Sequence, residues 1–233
     1  MGHLLSSLSC ILKVIALQSS FHQIFIVAFA PFYRSTRVHI DNELFVIPTN
    51  VQLSSDPFMQ QVAYASTIVE MLSEKDCDRV SELLLAQLSH SDGIRGFFAT
   101  YLTGEGITLA DANTVPSPLA KALKSIPDHL ALISISCKNV IMPTAMSSMH
   151  KDSSLRNSSL NTASRGTTVL NYLKVIYPDD TKRTCQDILV AIENENISSD
   201  VNVNYWRTFF KTYGYQEKQL QDIAATLMSL DVV

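Results

Sequence analysis

The stretch DHLALISISCKNVIMPTAMSSM, residues 128–149, decides the fold. Leu130, Leu132, Ile133, Ile135, Val140, Ile141, Met142, Ala145, Met146 and Met149 cover nearly the whole helical circumference, not one stripe of it. A helix that is apolar on every side leaves no face for water and belongs in the middle of a bundle. Pro143 sits inside it. The proline ring removes one backbone donor and crowds the carbonyl four residues back, that of Asn139. A kinked central helix is the expectation.

Working outward, the flanking segments carry helical rather than strand periodicity. Asp56 is placed to cap a helix with Pro57 at its first position, where a missing N–H costs nothing. Phe58, Val62, Ala65, Val69 and Leu72 then mark one face at steps of three and four. Ser73 with Asp76 forms a capping-box pattern before a helix presenting Val80, Leu83, Leu84 and Leu88. A short helix follows over Ile94 to Leu102, stopped by Gly104 and Gly106. The turn-formers Asp111, Asn113, Pro116 and Pro118 make Ile107 to Ser117 a loop, and Leu119–Leu123 a brief helix.

Beyond the central helix, residues 147–168 turn to Ser, Thr and Asn, with Lys151, Arg156 and Arg165. That composition reads as a solvated linker, with Arg156-x-x-Ser159 as a phosphorylation pattern inside it. Three amphipathic segments close the chain: Thr181–Glu193, Val203–Tyr213 and Gln216–Leu230. Trp206, Phe209, Phe210 and Tyr213 share one face, and Leu220, Ile223, Leu227 and Leu230 the next, with Gly214 between. The spacing predicts an αα-hairpin closing over the core. The expected architecture is a single all-α domain, residues 56–233, a bundle of about seven helices around the Pro-kinked one.

Composition narrows the function classes. The chain carries a net charge of −4, and Lys13, Arg34, Arg37, Asp41 and Glu43 leave its first 55 residues slightly positive. The body is therefore acidic and lacks the basic footprint that nucleic acid demands. At 46% hydrophobic residues the chain has material for an ordinary globular core. Cys77, Cys137 and Cys185 lie far apart, without metal-ligand or disulfide-framework spacing. His90, His129 and His150 are isolated, so no metal is implied. No nucleophile elbow occurs, and Gly104-Glu105-Gly106 lacks the ending of a phosphate loop. No catalytic residue and no cofactor are assigned. No uninterrupted apolar run reaches the length of a membrane span.

Two places have side chains suited to binding. Beside Pro143, the Asn139 carbonyl loses its helical donor, next to the Asn139 amide and the Lys138 ammonium. Those groups either line a polar pocket for a ligand or a partner's carboxylate, or Lys138 snorkels to the surface. In Gly93-Ile94-Arg95-Gly96-Phe97-Phe98, Arg95 is the one charge among apolar side chains. It either holds a carboxylate or phosphate in its fork or pairs with an acidic side chain of a neighbouring helix. Arg95, Lys138 and Asn139 are the candidate ligand- or partner-binding residues.

The N-terminus carries an address. An apolar leader from Leu4 ends in Val27-Ala28-Phe29-Ala30-Pro31, and Tyr33, Arg34, Ser35, Thr36, Arg37 and His39 follow with no acid before Asp41. Ala28-Phe29-Ala30-Pro31 resembles the end of the Ala-Ser-Ala-Phe-Ala-Pro motif in bipartite presequences of algae with secondary plastids. Ile26-Val27 stands where Ala-Ser is usual. The resemblance implies a signal peptide over residues 1–28, cleavage before Phe29, a transit-like segment and connector over 29–55, and a plastid destination. An ordinary secretory signal is the alternative. Gly93 to Thr103 and Lys138 to Met146 resemble stretches of an uncharacterised helical family of cyanobacteria and plastids, over most of residues 56–177.

Together these readings predict a plastid protein that binds a protein partner, in assembly or maintenance of photosynthetic complexes. The alternative is a small helical enzyme or ligand carrier with a polar pocket near Lys138, Asn139 and Arg95.

Overall fold

In the computed structural model, the described residues are 47–73, 77–193 and 199–230, all within one compact unit, Ile47–Val233. The leader, the presequence motif and the Asp76 half of the Ser73 capping pattern lie outside them. The described residues form α1 (Asn50–Ser55), α2 (Phe58–Met71), α3 (Cys77–Gln87), α4 (Ser91–Thr103) and α5 (Ser117–Leu123), then α6 (His129–Met149), α7 (Ser153–Ile176), α8 (Pro178–Glu193), α9 (Val201–Tyr213) and α10 (Glu217–Met228). All ten are helices, so the all-α expectation holds, with more helices than the seven anticipated.

The stretch 128–149 is one helix, α6, opened by Asp128, whose carboxylate accepts from the Ala131 N–H at 3.0 Å. It runs through Pro143. Leu132, Ile133, Cys137, Val140, Ile141 and Ala145 are buried. By length and hydropathy α6 is the one described helix that matches a membrane span, yet most of its apolar surface faces other helices. It packs along α7 on one side and receives α10 on another, with α8 also in contact. In the other half α2 packs along α4, and α3 meets α1 and α5. The two halves join where α4 docks on both α6 and α7.

Three readings are corrected. The first concerns residues 41–55, read as connector, where Asn50–Ser55 is a helix. Thr49 and Gln52 form a reciprocal capping box, and Leu53 is fully buried. Gln61 holds this helix down: its Nε2 donates to the carbonyls of Gln52 (3.1 Å), Leu53 (3.0 Å) and Asp56 (3.0 Å). Asp56 itself does not cap α2; its carboxylate accepts from the Tyr64 hydroxyl at 2.6 Å.

The second concerns residues 147–168, which are not a linker. Asp152 caps α7, accepting from the Leu155 N–H at 3.0 Å, and the helix runs to Ile176. Its buried residues are Ser159, Thr162, Ala163 and Gly166 with the one long side chain of Arg165, before larger apolar residues take over at Val169. Small side chains let α7 approach α6: a Cβ on Gly166 would stand 2.8 Å from the Asn139 carbonyl oxygen. Ser159 is fully buried, so its hydroxyl is closed to a kinase.

The third concerns the last two helices. α9 packs chiefly on α8, and α10 chiefly on α6, so they do not run along each other as a hairpin. Gly214 ends α9 at φ 65°, in the left-handed region that suits glycine.

Long side chains from α7 and from Tyr177, which caps its C-terminus, finish the ends of earlier helices. A helix leaves its last carbonyls without donors. Arg165 supplies them to α4, its Nη1 donating to Leu102 O (3.1 Å) and Gly104 O (2.9 Å) while Nε donates to Asp111 (2.6 Å). The hydroxyls of Tyr172 and Tyr177 do the same for α5, donating to Ala120 O (3.1 Å) and Leu123 O (2.9 Å).

Candidate functional site

The candidate site is built on α9. Asp200 caps this helix, accepting from the N–H groups of Asn202 (2.8 Å) and Val203 (3.3 Å). Val203, Trp206 and Phe210 point into the core, Trp206 only 2% exposed. The rotation that buries them turns Tyr205, Phe209 and Tyr213, at steps of four, along the flank. Tyr205 is 46% exposed, and Phe209 and Tyr213 are half-buried. The rings of Phe209 and Tyr213 lie 4.6 Å apart, centroid to centroid.

Of the two cations singled out from the sequence, Lys138 lies against this flank and Arg95 interacts with it electrostatically through Tyr213. Lys138, on α6, holds its ammonium 5.2 Å from the Tyr205 ring centroid and 5.8 Å from that of Phe209, within cation–π range. Arg95, on α4, sits 5.3 Å from the Phe58 ring centroid, and its Nη1 donates to Asp92 at 3.0 Å. Burial lowers the Arg95 pKa, opposed by the charge of Asp92 and by Tyr213. The guanidinium remains cationic at any physiological pH. Burial likewise raises the Tyr213 hydroxyl, with Arg95 pulling it back. Tyr205, Lys138, Phe209 and Tyr213 make one run of contacts between α6 and α9, and Arg95 over Phe58, on α4 and α2, is linked to it electrostatically through Tyr213; these six residues make up a strip.

Asn139 is placed differently. Its backbone carbonyl faces Gly166 of α7, and its Nδ2 is buried with no hydrogen-bond partner. Arg95 pairs within its own helix, not with a neighbouring one. Lys138 lies over rings, and among the described residues no carboxylate forms an ion pair with it.

Elsewhere the chemistry is structural. Among the described residues no cluster of His, Cys, Asp and Glu could hold a metal ion. Cys137 and Cys185 are fully buried, and the Cys137 thiol is pushed up by its hydrogen bond with Cys185 and by desolvation. Such thiols are poor nucleophiles. His129 Nε2 meets Asp180 at 3.0 Å, and its ring stacks on Tyr177 at 4.6 Å, which ties α6 to α8. A shallow cleft of about 350 Å³ is lined by Asn50, Glu82, Leu85, Ala86, Ser89, Ser125 and Pro127 and shares no residue with the strip.

The aromatic members Phe58, Tyr205, Phe209 and Tyr213 are not among the site residues read from the sequence. The recurrence of rings at 205, 209 and 213 was a signal for one flank, masked because Trp206 and Phe210 invite a single broad aromatic face.

A family model matches residues 57–230, which span α2 to the last described residue and carry every member of the strip. The chain belongs to the family described as uncharacterised conserved protein UCP020893. The matched range takes in both body stretches, Gly93 to Thr103 and Lys138 to Met146, on which the resemblance to an uncharacterised helical family rests. No curated protein and no solved structure matches the chain. The UCP020893 match therefore supplies kinship without an activity.

Proposed function

We propose that this protein works by binding a protein partner through the strip around α9, after delivery to the plastid. The observation that carries the binding reading is Lys138: an ammonium lodged over two rings, one of them largely open to solvent, with no carboxylate paired to it among the described residues. Tyr and Arg are enriched at protein contact sites, and Tyr205, Tyr213 and Arg95 are all members of this strip. The plastid reading is supported by Ala28-Phe29-Ala30-Pro31 and the acid-free segment behind it. That compartment suggests assembly or upkeep of photosynthetic complexes as the process served. The buried, unpartnered Nδ2 of Asn139 favours a second reading, a carrier of a small polar ligand, which saturable binding of a small molecule lost in Asn139→Leu would establish.

The test is capture of partners by the tagged full-length chain in plastid extract, beside a fluorescent fusion of residues 1–55. The fusion should enter plastids and native protein should begin at Phe29 or later. A cytosolic fusion, or native protein starting at Met1, removes the plastid reading. Tyr205→Ala should leave the fold intact, because the ring is 46% exposed, and reduce partner capture. Undiminished capture removes the strip as the contact.

A further inference from the structure

Resting on the partner-binding reading, the geometry points to the chemistry of the partner: we propose that the strip takes an acidic segment in which carboxylates alternate with apolar side chains. The strip offers cations at two stations, Arg95 over Phe58 and Lys138 over Tyr205 and Phe209, with the Phe209 ring against that of Tyr213. A carboxylate on Lys138 gains a charge-assisted bond without breaking an ion pair. At Arg95 one nitrogen is engaged by Asp92. The other guanidinium donors of its fork can serve a second carboxylate. Apolar side chains between the two carboxylates cover Phe209 and Tyr213.

The rest of the molecule sharpens the choice. The chain bears 22 acidic against 18 basic side chains, so its net charge offers an acidic partner no general attraction. Cations set among ring surface select a segment that carries both carboxylates and apolar side chains, which an isolated exposed lysine does not. Nucleic acid is disfavoured by the same net charge, since a polyanion needs several cations in a row to release its counterions.

The experiment places the photo-crosslinking residue p-benzoylphenylalanine at Tyr205, or at Val51 as a control on α1, in the full-length chain in plastid extract. Adducts are mapped by peptide sequencing. The expected result is an adduct from position 205 on a segment rich in Asp or Glu. Lys138→Glu should abolish it, and Lys138→Arg should retain it. A synthetic copy of that segment should bind the purified protein at least about tenfold more tightly than its Gln/Asn counterpart, the worth of one charge-assisted contact. Circular dichroism of each variant separates lost binding from lost folding.

An adduct from 205 on a neutral or basic segment, or on RNA, overturns the acidic-segment proposal while partner binding stands or falls with the adduct's identity. Adducts from Val51 alone leave partner binding intact and overturn the strip. No adduct from either position overturns both.

Discussion

Arg165 joins three parts of the chain with one guanidinium: α7, the end of α4 and Asp111 in the loop beyond it. The side chain is 9% exposed, so these bonds are sheltered from water, whereas Asp111 is largely open. The hydrogen bond from Arg165 holds the Asp111 carboxyl below its ordinary pKa. A carboxylate depressed in the folded state contributes stability above its ordinary value, and that contribution disappears as pH falls through the lower, folded one. Asp111→Asn should therefore be less stable than wild type at neutral pH, and the gap in melting temperature should close on acidification to about pH 2. A gap unchanged with pH would show that the ion pair contributes nothing. Asp78 and Asp222, also held low by their lysine partners, remain in both proteins and cancel in the comparison. Arg165 was visible in the sequence only as a charge in a polar tract. Nothing local marks a side chain whose partners lie 54 to 63 residues away.

Among the elements, α6 was legible because its signal is internal: apolar residues on all sides, an aspartate at the front and a length set by the pattern. α7 was not, because its burial is borne by Ser159, Thr162, Ala163 and Gly166, residue types equally at home in solvent. What identifies such a face is its partner, and the partner's contribution is the Asn139 carbonyl, deprived of its helical donor by Pro143 and turned to Gly166. Gly166→Ala drives a methyl to 2.8 Å from that backbone oxygen, where no flexible side chain can yield. The expected cost is about 1–3 kcal/mol, read by chemical denaturation. A neutral outcome would mean that the two helices separate without penalty. The strip shares this dependence on context. Lys138 and Arg95 were picked as isolated charges in apolar runs, whereas their ring neighbours were not, since periodicity alone does not divide α9 into a buried face and a flank.

At the scale of the whole molecule the two halves are unequal in autonomy. α1 to α5 are finished by α7 and the residue that caps it: Arg165 caps α4, Tyr172 and Tyr177 cap α5, and α4 rests on α6 and α7 together. A chain ending at residue 150 should show helical circular dichroism without a cooperative thermal transition, because its terminal carbonyls and the α7-facing side of α6 stay open. A sharp transition in that fragment would show the first half to be self-sufficient. The order of synthesis gives this arrangement a further meaning. Tyr177 is added 54 residues after Leu123, some seconds later at a ribosomal rate of about 5–20 residues per second. During that interval the nascent first half and the most apolar helix of the chain wait for a segment of serine, threonine and asparagine. Chaperone attachment during translation should follow the emergence of the hydrophobic helix, and release should wait for that of α7.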